Sequence, residues 1–212
     1  PIITSMTLID AVPTPQQVWD DLKEGNQRFA ADNPAHPNTN SQRRSLLVEG
    51  QDPRVVVLSC SDSRVPAELV FDLGLGDAFV IRTAGQVIDN AVLASVEFAV
   101  ENLDANLLVV MGHESCGAVK ATAGVMDGGE LPRGYQRTIV EQVSLSALVA
   151  QRAEKHDTAD VEREHIAQTV QLLRARAPKL EEKLQSGVVG IVGLRYLLDG
   201  GKVEEIVLEG VR

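Results

Sequence analysis

The sequence predicts an α/β fold. It should have a mainly parallel sheet covered by helices on both faces, an antiparallel edge strand near the C-terminus, and an N-terminal helical arm over about residues 15–50. Three observations carry this reading. Short runs of β-branched and aliphatic residues recur along the chain, helical periodicity fills the stretches between them, and the last two runs are joined by a tight glycine turn. Consecutive parallel strands need long crossovers, and helices are the usual ones, so strands alternating with helices imply a sheet buried on both sides.

In chain order, Pro15 to Ala31 reads as an amphipathic helix, with Val18, Trp19, Leu22, Asn26 and Phe29 near helical spacing. A polar, proline-bearing loop follows from Asp32 to Ser41. Val55-Val56-Val57-Leu58 is the first strand, Ala78 to Arg82 the second and Leu107 to Met111 the third. Val188 to Leu198 and Val203 to Leu208 form the closing pair, turning at Asp199-Gly200-Gly201. Helices are expected over Val87–Glu101, Ala118–Met126, Ile139–Lys155 and Val161–Leu184. No repeat, low-complexity tract or interdomain linker interrupts the pattern, so residues 1–212 read as a single domain.

Composition narrows the function classes. With 44% hydrophobic residues and only 3% aromatic, the core must be built from Val, Leu, Ile and Ala. A formal charge of −10, with no basic stripe, argues against nucleic acid as a partner. No apolar run approaches the roughly 18 residues of a membrane span. Pro1 to Met6 lacks a basic stretch leading into an apolar core, so no signal peptide is expected and the cytoplasm is the expected compartment.

The two cysteines carry the chemistry. Cys60 directly follows the first strand in Ser59-Cys60-Ser61-Asp62-Ser63-Arg64-Val65-Pro66, and His113 and Cys116 follow the third in Gly112-His113-Glu114-Ser115-Cys116-Gly117. Sites in open α/β sheets form at the carboxyl ends of strands, so the three ligands converge if these strands are neighbours. Zinc accepts thiolate and imidazole, and a catalytic site typically has three protein ligands and one open position. The remaining histidines, His36 in a loop and His156 and His165 among charged helical residues, are not placed to close the shell. A disulfide, a cysteine nucleophile with His113 as base, and two buried core thiols are the competing readings. They rank lower, because none accounts for all three residues together with the charges beside them.

Asp62 and Arg64 lie within that loop. Ordinary turn chemistry would have Asp62 or Ser63 cap a short helix opened by Pro66. The functional reading is that the guanidinium fork of Arg64 holds the Asp62 carboxylate in one orientation, ready to accept a hydrogen bond from water on the metal. Released from Arg64, Asp62 could itself take the fourth zinc position.

With these residues, the chain resembles the beta-class carbonic anhydrases. The likeness spans about residues 15–200. It includes Gly25-Asn26-Gln27-Arg28-Phe29 and Gly76-Asp77-Ala78-Phe79-Val80-Ile81-Arg82-Thr83-Ala84-Gly85 as well as the two metal segments. The resemblance implies one Zn2+ per chain on Cys60, His113 and Cys116, and reversible hydration of carbon dioxide to bicarbonate. Asp62 and Arg64 would be the catalytic pair. It places Gln51, Phe79, Phe98 and Gly117 at the substrate, although core packing explains the two phenylalanines equally well. It also implies a homodimer, or a tetramer built of dimers, with pocket groups donated across the interface and the N-terminal helix embracing the partner. One branch of the family has a non-catalytic bicarbonate site of Trp, Arg and Tyr; Arg82 and Tyr196 match it, but Val57 stands in the Trp position. An always-open site, with Asp62 on Arg64, is therefore expected.

Other motifs do not compete. Gly74-Leu75-Gly76 precedes a strand instead of following one, and Ser115 is not in a Gly-x-Ser-x-Gly elbow. The Glu and Arg clusters between residues 152 and 185 are expected to be solvated helix faces. Two rival functions remain: a zinc hydrolase of carbonyl sulfide or carbon disulfide, and a non-catalytic zinc protein that senses bicarbonate.

Overall fold

A computed structural model describes residues 12–212, so the segment Pro1 to Met6 lies outside the described residues. The first helix, α1, runs Pro15–Ala30. Thr14 and Gln17 form a reciprocal capping box and Pro15 occupies the first turn, where its missing N–H is no loss. α1 buries Val18, Trp19, Leu22, Gly25 and Asn26. A Cβ at Gly25 would come within 2.0 Å of the Phe71 carbonyl oxygen, which explains the glycine. Asn26 is a buried staple: its Nδ2 donates to Val70 O at 3.0 Å and Gly201 O at 2.8 Å, and its Oδ1 accepts from Val203 N. A short helix not foreseen from sequence, α2 (Ser41–Leu46), follows on an Asn40 cap. It buries no residue and so leaves no apolar stripe to read.

The sheet contains β1 (Val55–Cys60), β2 (Ala78–Thr83), β3 (Leu107–His113), β4 (Gly190–Tyr196) and β5 (Val203–Glu209). Their order is β2-β1-β3-β4-β5; the first four are parallel and β5 is antiparallel at the edge, as the sequence predicts. β1, β3 and β4 are buried at every residue, which is why they read as continuous apolar runs without alternation. One face packs α1, α3 (Ala67–Val70), α5 (Gly117–Met126) and α6 (Gln136–Arg152) around Trp19, Phe71 and Leu107. The other packs α4 (Asn90–Asn102), α7 (Thr158–Arg176) and α8 (Pro178–Gln185) around Val96, Ile166 and Leu180.

Boundaries moved where local chemistry overrode periodicity. The long helix expected over Val161–Leu184 is two helices broken at Ala177, because Pro178 forces the preceding residue out of the helical region. α4 begins at Asn90, not Val87, since Asp89 caps Val92 N at 2.8 Å. α6 starts three residues before Ile139 and ends at Arg152, short of Lys155. The strand expected from Val188 starts at Gly190 and ends at Tyr196.

Candidate metal centre

β1 and β3 are neighbours, in register from Val55↔Leu107 to Ser59↔Met111. β2 lies beyond β1 and β4 beyond β3, so the connections leaving β1 and β3 part company at this crevice. Cys60 ends one strand and His113 the other. A turn through Ser115, at φ 57°, then brings Cys116 back at the entrance to α5. The donor atoms of Cys60, His113 and Cys116 all lie within 4.8 Å of one another, and all three residues are buried. His113 Nδ1 donates to Glu114 O at 2.8 Å, which leaves Nε2 as the lone-pair nitrogen. That Nε2 is buried and has no hydrogen-bond partner among the described residues. Two sulfurs and an unsatisfied imidazole nitrogen aimed at one point fit zinc, and these three residues would hold it.

The two sulfurs and the imidazole perturb one another strongly. Hydrogen bonding from Cys116 outweighs burial to bring Cys60 down to about 4, assisted by His113 and by the amides of Asp62 and Gly85. The charged Cys60 and burial push Cys116 up, so the pair shares one proton until a metal displaces it. Burial resists charging His113, but the Cys60 sulfur overcomes this and its pKa is raised.

Asp62 does not cap α3, whose first turn has no side-chain cap. Its Oδ1 accepts from the Arg64 amide and Nε, both at 2.9 Å, and its Oδ2 accepts from Arg64 Nη2 at 2.7 Å. This two-pronged grip holds the carboxyl well below the usual carboxylate range. Asp62 Oδ2 lies 3.9 Å from His113 Nε2, beside the cluster and outside it.

A family model described as carbonic anhydrase matches residues 55–203. The carbonic anhydrase of Mycolicibacterium smegmatis is 48% identical over 190 residues, covering 90% of this chain and 92% of that one. The chain belongs to the β-carbonic anhydrases. Carbonic anhydrase 2 of Mycobacterium tuberculosis is similar at 47% identity, over 89% of this chain and 91% of that one. A tetrameric β-carbonic anhydrase of Sordaria macrospora shares the fold, with a TM-score of 0.69 at 22% identity over 79% of this chain and 87% of the other. So does the Coccomyxa β-carbonic anhydrase solved with acetazolamide, at 0.68 and 23% over 86% and 83%.

Within this carbonic anhydrase, several supporting residues escape a sequence reading. Arg82 Nε donates to Cys60 O at 3.0 Å and its Nη2 to Asp62 O at 2.7 Å, so it clamps the backbone of the metal loop. The Tyr196 ring is buried against Phe29, with centroids 6.4 Å apart, and Val57 is fully buried. Glu162, expected on a solvated helix face, is buried instead, and so is His165, which lies among charged helical residues in the sequence. Glu162 Oε1 accepts from Cys116 N at 3.1 Å while Oε2 pairs with Arg195 Nε at 2.8 Å. The signal is in the spacing: Glu162 and His165 share one helical stripe with Ile166, Thr169, Val170 and Leu173, all buried, which turns both toward the core.

The residues assigned to the substrate are scattered. Gln51 is exposed just before β1, and Gly117 opens α5, where an added Cβ would meet nothing within 4 Å among the described residues. Phe79 and Phe98 pack together, ring centroids 6.1 Å apart. Phe79 pairs with Val56, four residues before Cys60, and packs on the second core cluster, so a single chain does not bring these rings to its own metal ligands.

Proposed function

We propose that the chain catalyses reversible hydration of carbon dioxide to bicarbonate and a proton, at an open zinc site served by Asp62 and Arg64. The carrying observation is the grip of Arg64 on Asp62 beside three converging ligands. Zinc, when bound, supplies the Lewis acidity that makes water a nucleophile near neutral pH; carbonic anhydrase is itself the type example, taking water from a pKa of about 15.7 to about 7. Arg64 keeps Asp62 ionised and pointed. Asp62 Oδ2 accepts a hydrogen bond from the attacking water and so turns the oxygen lone pair toward the carbon of carbon dioxide. Water and carbon dioxide give bicarbonate plus one proton, and the proton passes to buffer. With Asp62 engaged by Arg64, it is a poor competitor for the fourth zinc position.

The working unit in this reading is at least a homodimer, as in the tetrameric Sordaria relative. Phe98 is 47% exposed and Leu69 53%, which leaves apolar surface for a partner. Phe79, Phe98 and Gln51 would then serve a site shared between chains. The chain's only two cysteines both belong to the cluster and must stay reduced, which suits the cytoplasm. No described helix is long and apolar enough to cross a membrane.

Stopped-flow hydration of carbon dioxide by the zinc-loaded protein, scanned from about pH 6.5 to 9, tests the reading. Activity at neutral pH that rises gradually is expected. A steep onset only above about pH 8 would show Asp62 occupying zinc at lower pH. No activity with zinc bound would overturn the reading in favour of carbonyl sulfide or carbon disulfide hydrolysis, or of bicarbonate sensing.

A further inference from the structure

His165 takes no part in the chemistry above, yet it is buried at 4% exposure and both ring nitrogens are engaged. Its Nε2 lies 2.8 Å from Gly85 O, and its Nδ1 lies 2.9 Å from Ser146 Oγ on α6. A carbonyl can only accept, so Nε2 carries the proton; Nδ1 of the neutral ring then accepts from the Ser146 hydroxyl. Burial favours that neutral form by lowering the His165 pKa.

Gly85 is the other end of the link. Its amide donates to Cys60 Sγ at 3.3 Å. The residue sits at φ 67°, ψ 24°, and the following Gln86 is also left-handed at φ 43°. Two successive left-handed residues, one of them bearing a side chain, are unfavourable unless the surroundings hold them. A Cβ at Gly85 would lie 2.6 Å from that of Ala118, so only glycine fits. The side-chain partner of the Gly85 carbonyl is the His165 ring.

We propose that His165 is a positioning residue for the metal centre: by holding the Gly85 carbonyl it fixes the left-handed turn whose amide donates to the Cys60 sulfur. α7 thereby steadies a zinc ligand that His165 never touches, in the manner of outer-shell hydrogen bonds that orient metal ligands. The inference rests on Cys60 holding zinc and is independent of which substrate reacts there.

The test compares wild type, His165→Leu and His165→Gln as assembled proteins. Zinc affinity is measured by chelator competition, and the sulfur-to-metal absorption band is recorded after cobalt substitution. His165→Leu should weaken zinc binding about 10- to 100-fold and shift the cobalt band. His165→Gln, whose side-chain amide can donate to Gly85 O, should recover most of both. A His165→Leu protein that binds zinc within about twofold of wild type, with an unmoved band, overturns the proposal. Nitrogen-15 NMR of the wild type gives a check that needs no variant to fold: His165 should be neutral with its proton on Nε2, and a proton on Nδ1 alone would overturn the link. Carbon dioxide hydration on the same wild-type sample separates the two ideas. If zinc binds but no hydration occurs, the reaction assignment fails while the affinity and NMR results still decide the role of His165.

Discussion

The loop after β1, residues 61–66, and the turn after β3, residues 114–116, serve one metal cluster but are anchored from different sides of the molecule. The first is held near solvent: Ser61, Ser63 and Arg64 are exposed, and its grip comes from the Asp62–Arg64 pair and the Arg82 clamp. The second is held from the interior, by Glu162 on the Cys116 amide, with Glu162 itself paired to Arg195 at side-chain exposures of 2% and 7%. Exposed charge pairs contribute little to stability, whereas breaking a buried one leaves a desolvated charge behind. The first loop is thus free to specialise in reactivity, and the second couples the metal to the core.

Replacing a ligand should erase the contrast. His113→Ala should lose zinc, measured by metal analysis, and with it more than about a thousandfold of activity. Arg195→Met tests the interior anchor: it strands Glu162, and should lower stability by about 3–5 kcal/mol in denaturant titration. Asp62→Asn tests the solvent-side anchor, and should lower kcat/KM about a hundredfold, or about 2.7 kcal/mol of barrier, with a loss of stability of about 1 kcal/mol, well below that of Arg195→Met. If Asp62→Asn destabilised the fold as much as Arg195→Met, the contrast between the loops would fail.

Asp72 supplies a buried carboxylate remote from the metal as a control. Burial opposes its charge, but Arg28 and the amides of Ala35 and His36 outweigh it and the pKa is lowered. A lowered folded pKa means that the contribution is complete above the ordinary aspartate value of about 3.9 and fades as the pH falls through the folded value. Asp72→Asn should therefore lose about 1–3 kcal/mol at neutral pH, with the gap to wild type narrowing in urea titrations as the pH falls below the ordinary aspartate value of about 3.9. Zinc content should not change.

The β strands were legible because β1, β3 and β4 are buried on both faces and so carry uninterrupted apolar runs. The ligands were legible because cysteine and histidine at strand ends have few other uses. α2 was not, since it buries nothing, and the break at Ala177 was missed because the apolar spacing continues across Pro178. Glu162, His165 and Arg82 were misread or read for another role, since a buried polar residue has the same one-letter code as a solvated one.

By itself, then, the sequence determined the fold class, the strands and which residues could hold zinc, because hydrophobic periodicity and donor chemistry are local properties. Only the tertiary structure decided that β1 and β3 lie side by side, that Asp62 faces Arg64 instead of a helix end, and that α7 turns Glu162 and His165 inward toward the metal. Apart from the local Asp62–Arg64 pair, those are contacts between segments tens of residues apart. Their strength comes from exclusion of water, which no local pattern records.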